Sequence, residues 1–98
     1  MPDNAPTWTF KEIDQAFGRV KGSAFIAFKR VRDQLIEGQD YLYYNGFEQP
    51  DVVEALKQQQ RLYTASLHAV VLHESAYRLI AAYLQAHADA PPRPLNSA

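Results

Sequence analysis

Apolar positions recur at three- and four-residue steps from the start of the chain. Phe10, Ile13, Ala16 and Phe17 form one stripe and predict a helix over residues 9–17. Ala24, Phe28, Val31 and Leu35 form another and predict a helix over residues 23–37. Between them Gly18-Arg19-Val20-Lys21-Gly22 leaves room only for a corner. The unit reads as a helix-turn-helix, two crossed helices joined tightly.

The ends of both helices are marked. Thr9 and Glu12 have capping-box spacing, with Trp8 and Ile13 placed for a hydrophobic staple. Ser23 is expected as the N-cap of the second helix. Gly18 and Gly38 suit the left-handed position just past a helix end.

Beyond residue 38 the period changes. Tyr41-Leu42-Tyr43-Tyr44 has strand composition and Asn45-Gly46 is a turn signal. Pro50 opens a short helix expected over residues 51–60. Arg61-Leu62-Tyr63-Thr64-Ala65 reads as a second strand pairing with residues 41–44, which would make a wing beside the helices. Residues 66–87 admit two readings. Leu67, Val70, Val71, Tyr77, Ile80, Ala81 and Leu84 fit one long helical stripe. Alternatively Ala69-Val70-Val71-Leu72 is a strand and a helix starts near Glu74 or Ser75; a helix over at least 75–87 is common to both.

The expected fold class is mostly α with a small β ribbon, a single winged helix-turn-helix-like domain over residues 9–88. A flexible arm (residues 1–8) precedes it, and a disordered Pro-rich tail (89–98) follows. At 98 residues, 47% hydrophobic, the chain can fold around one modest core without staples. It has no cysteine, which excludes disulfides, thiolate zinc sites and cysteine nucleophiles. No apolar run approaches membrane-spanning length and no signal peptide is visible, so a cytoplasmic location is expected.

Net charge is −1, but its distribution is uneven. Residues 19–32 hold Arg19, Lys21, Lys29, Arg30 and Arg32 and no acid, which sums to +5; the remainder sums to −6. The cations lie on the turn and the second helix, the parts that would enter a DNA groove.

The order of features over residues 9–44 resembles the amino-terminal DNA-binding domain of phage antirepressors and related winged helix-turn-helix regulators. The resemblance rests on the exit Leu35-Ile36-Glu37-Gly38-Gln39-Asp40-Tyr41. It also rests on the strand-to-helix entry Val70-Val71-Leu72-His73-Glu74-Ser75-Ala76-Tyr77, which has Ala76 where a glycine is common. It implies double-stranded DNA as partner, with the five cations at the interface.

The expected function is therefore a small DNA-binding transcriptional regulator. Arg19, Lys21 and Lys29 would hold phosphates, Ser23, Ile26 and Arg30 would face base edges, and Arg32 would flank them. Five phosphate contacts would give a salt slope of roughly −4 to −5. The residue 66–84 stripe would close the core or supply a homodimer surface. The alternative is a helical adaptor whose basic face meets an acidic protein, or a solvated face on which Lys29 or Arg30 pairs with Asp33. Tyr41, Tyr43 and Tyr44 would stack on bases or form half-buried core. The spacing of His68, His73 and His87 fits no zinc pattern, and no catalytic constellation or phosphate-binding glycine loop is visible. No enzyme activity, cofactor or small-molecule substrate is expected.

Overall fold

The computed structural model describes residues 5–87. The chain runs α1 (Phe10–Ala16), α2 (Ser23–Val31), a 3-10 turn (Arg32–Gln34), β1 (Tyr41–Tyr44), α3 (Pro50–Gln58), β2 (Ala69–Leu72) and α4 (Glu74–Ala86). Over the described residues it is a small α/β fold of four α-helices and a two-stranded antiparallel sheet. Among the described residues no helix is long and apolar enough to cross a membrane. The expected tail (89–98) and the first half of the expected arm (residues 1–4) lie outside the described residues.

The first cap is as its sequence dictates. The Thr9 hydroxyl accepts from the Glu12 N–H at 3.3 Å, and Glu12 Oε1 accepts from the Thr9 N–H at 3.0 Å. At the other end of α1 the Arg19 N–H reaches the Asp14 carbonyl and the Gly18 N–H the Gln15 carbonyl, a Schellman closure. Gly18 carries φ of 63° there, where a Cβ would be strained.

The start of α2 departs from expectation. Its N-cap is Gly22, at φ 95°, not Ser23, whose hydroxyl donates to the Val20 carbonyl at 2.8 Å. The capping acceptor comes from another helix. Asp14 on α1 accepts from the Gly22 N–H at 3.0 Å and the Ala24 N–H at 2.7 Å. A carboxylate placed against a helix N-terminus also favours the helix dipole. The buried stripe of α1 is accordingly Ile13 and Asp14 flanked by half-buried Phe10 and Phe17, with Ala16 exposed.

α2 buries Ala24, Ala27, Phe28 and Val31 against α1 and α4. It ends at Val31 rather than running to residue 37. The chain tightens into the 3-10 turn, and Leu35 turns extended, at φ −116° and ψ 150°. The exit then folds on Asp40. Its carboxylate accepts from the Ile36 N–H at 2.7 Å and the Ser75 hydroxyl at 2.6 Å, while its carbonyl accepts from the His73 N–H. The Leu35–Tyr41 motif thus ties the end of α2 to the start of α4.

The sheet corrects one expectation and decides another. β1 pairs with β2, in the register Tyr41↔Leu72 to Tyr44↔Ala69. Residues 61–65 are not a strand, so the wing over residues 41–65 is replaced by α3 and a loop. Instead Leu62 points into a core while Arg61 and Tyr63 point to carboxylates on α1. Of the two readings of residues 66–87, the strand followed by a helix is the one observed. Trp8 also joins the sheet: its N–H and carbonyl bond Leu72 at 3.0 and 2.8 Å, so the arm is anchored before residue 9. Its ring stacks on Tyr77 with centroids 4.2 Å apart.

β2 separates two apolar clusters. Leu72 joins Ile13, Phe28, Tyr41, Ile80 and Leu84; Ala69 and Val71 join Val53, Leu56 and Leu62. Burial on both faces explains why residues 69–72 read as an unbroken apolar run rather than an alternating one. The stripe expected to offer a dimer surface lies largely inside the chain, with Val71, Ile80 and Leu84 buried and Leu67 left exposed.

Candidate nucleic-acid interface

The cations of residues 19–32 divide into two groups. At the turn, the Arg19 guanidinium donates to the Leu84 carbonyl near the end of α4 at 2.7 Å and is half-buried. Lys21 Nζ lies 5.0 Å from the Tyr63 ring centroid, facing the 62–68 loop. Arg19 thus faces the protein's own elements, whereas Lys21 remains exposed.

The second group faces out. Lys29, Arg30 and Arg32 are exposed, and Lys29 and Arg30 line a shallow depression with Ile26. Among the described residues the ion pairs are Arg61 with Glu12 and Arg78 with Glu74, so neither Lys29 nor Arg30 pairs with Asp33. Lys29 Nζ sits 4.8 Å from the Phe25 ring centroid, a cation–π contact that holds the ammonium along the helix surface. Arg32 lies 6.0 Å from the Phe28 ring centroid. Ile26 is 52% exposed and Phe25 45%, so this face is apolar as well as cationic. Ser23 is partly covered and its hydroxyl is already committed to Val20.

What holds α2 in place was not singled out from the sequence. Asp14 is 1% exposed and accepts three hydrogen bonds, the third from the Tyr63 hydroxyl at 2.6 Å. Burial, with the bond to Asp14 and its negative charge, pushes the Tyr63 phenol up to about 12. Arg61 grips Glu12 through Nε at 2.8 Å and Nη2 at 3.1 Å, and Nη2 also reaches the Thr7 hydroxyl at 3.0 Å. Burial alone would raise the Glu12 carboxyl; the Arg61 hydrogen bonds, the Thr9 N–H and the Arg61 charge outweigh it and hold the group below its ordinary value. One signal for Asp14 was present. It stands four residues after Phe10 and three before Phe17, on the apolar side of its helix.

The remaining candidates are scattered. Tyr41 is buried, Tyr44 is half-buried and Tyr43 is exposed beside His68. His68 lies in the loop before β2, and its Nδ1 accepts from the Gly46 N–H at 3.0 Å. His73 and His87 cap the two ends of α4. Among the described residues no three His, Asp or Glu side chains converge as metal ligands would. Comparison with protein families, curated proteins and solved structures finds no match for the chain.

Proposed function

We propose that the protein is a small DNA-binding regulator that docks through the exposed face of α2. The observation that carries this reading is the position of Lys29 and Arg30, exposed, in no ion pair among the described residues and flanking Ile26. A helix that buries one stripe and presents cations on the other can lie in a major groove while its partner helix braces it. Arg30 and Ile26 are placed for base edges, Lys29 and Arg32 for phosphates. Arg19 is set aside because its guanidinium is bonded to α4; Lys21 is exposed but lies over the Tyr63 ring, at the corner rather than on the α2 face. The likeness of residues 35–41 and 70–77 to winged helix-turn-helix regulators supports the same reading, as does the short α1–α2 corner. A homodimer would double the contacts, as symmetric half-sites require.

Titrating a fluorescein-labelled random duplex and monitoring anisotropy tests it. Two phosphate contacts predict a slope of about −2 in log affinity against log salt per bound chain. A flat salt dependence, or no binding at low salt, would sink the reading.

Phe25 and Ile26 favour a second reading. Apolar side chains set among cations also suit the centre of a protein interface. A stoichiometric protein partner retained after nuclease treatment, lost with Ile26→Asp, would favour an adaptor.

A further inference from the structure

We propose that the cavity between the α1–α2 corner and the 62–68 loop binds a small amphipathic monoanion, an aromatic carboxylate of one or two rings. The proposal stands whether or not the chain binds DNA. The cavity has a volume of about 410 Å³, within the range that accepts small organic ligands. Phe10, Phe25, Leu62 and Val70 supply apolar walls, and Tyr43 an exposed aromatic edge. A planar apolar body would cover surface that now meets water.

The charged groups in the lining select the sign of the ligand. Lys11 and Lys21 both line the cavity, and neither is in an ion pair among the described residues. Lys11 Nζ makes one hydrogen bond, to the Gln60 carbonyl at 3.0 Å, so further N–H donors remain. Lys21 Nζ rests over the Tyr63 ring. Asp14 is also in the lining, but its carboxylate is saturated by Gly22, Ala24 and Tyr63 and is a poor acceptor for a cation. Those same bonds occupy amides at the start of α2, so the helix end is not the anion site. Two ammonium groups and one carboxylate leave a formal +1, which matches a single negative charge. His68 adds a donor rather than an acceptor. Its Nδ1 receives the Gly46 N–H, so the neutral ring carries its proton on Nε2.

The test is a nitrogen-15 NMR titration of the full chain, without DNA, using 2-naphthoate, the neutral 2-naphthalenemethanol and the cationic 2-naphthylmethylammonium. Saturable shifts are expected at the amides of Gly22, Tyr63 and His68, with naphthoate binding about tenfold more tightly than either other probe. Lys11→Met with Lys21→Met should remove that tenfold preference and leave binding of the alcohol unchanged. Lys21→Met alone, at an exposed position, should remove part of it and guards against a folding defect in the double variant. Four results would overturn the proposal: no saturation at millimolar naphthoate, shifts confined to other surfaces, equal binding of the ammonium probe, or equal naphthoate binding by both lysine variants. Movement of the same amides with protein concentration alone would assign the cavity to a second copy of the chain and overturn it equally.

Discussion

Arg19 and Lys21 at the turn, and Lys29, Arg30 and Arg32 at the end of α2, belong to one acid-free stretch, yet they meet different surroundings. At the turn Arg19 is half-buried and drawn onto the Leu84 carbonyl, while Lys21 stays exposed with its ammonium over the Tyr63 ring. The later three stand on the solvent side of a helix whose other side is packed. Charge density along a sequence therefore overstates charge density on a surface. A corner turns its side chains toward whatever packs beneath it, while a helix keeps one face out.

The strongest way to break this contrast is to remove what fixes the corner. Asp14→Ala leaves the Gly22 and Ala24 amides and the Tyr63 hydroxyl without their buried acceptor, at a cost of about 3 kcal/mol. Urea denaturation should show it as a lower midpoint. A wild-type midpoint would mean that the corner is held by packing alone.

Replacing Lys29 and Arg30 together by alanine acts on the other group. Duplex affinity should fall by about tenfold or more and the salt slope should drop from about −2 to about −1, with the thermal midpoint unchanged. Unchanged affinity would remove DNA binding from this face.

Arg19→Ala should do the reverse, costing about 1 kcal/mol of stability through the lost bond to α4 while leaving the salt slope alone. A slope that flattens by one would return Arg19 to the interface.

The smallest effect is a titration. Five of the six tyrosines lack the bond to Asp14, and one phenol, Tyr63, should ionise near pH 12 in an ultraviolet titration. Its folded pKa lies above that of an unfolded tyrosine, about 10. Its contribution to stability is therefore complete below pH 10 and is lost as the pH rises toward 12. Tyr63→Phe should abolish that alkaline component; its persistence would place the shifted phenol elsewhere.

Local signals read correctly where their cause is local. The Thr9–Glu12 box, the Gly18 ending, Pro50 at the start of α3 and the apolar face of α2 each depend on residues within a turn of one another. Tyr41–Tyr44 was also legible as a strand, but its partner was not. Residues 61–65 read as a strand, yet the acceptors that Arg61 and Tyr63 reach are Glu12 and Asp14, about fifty positions earlier. The candidate site divided in the same way. Ile26 and Arg30 share a face by helical spacing, whereas their depression with Lys29 and the turning-in of Arg19 onto α4 are seen only in the folded chain.

By itself the sequence determined two short helices joined by a tight corner, the caps of α1 and which stripe of α2 is buried, because periodicity and capping act over three or four residues. The tertiary structure decided that β1 pairs with β2, that a carboxylate from α1 caps α2, and which cations remain on the surface. Those outcomes depend on hydrogen-bond partners far apart in the chain, and no local pattern records which of several acceptors a distant donor will reach.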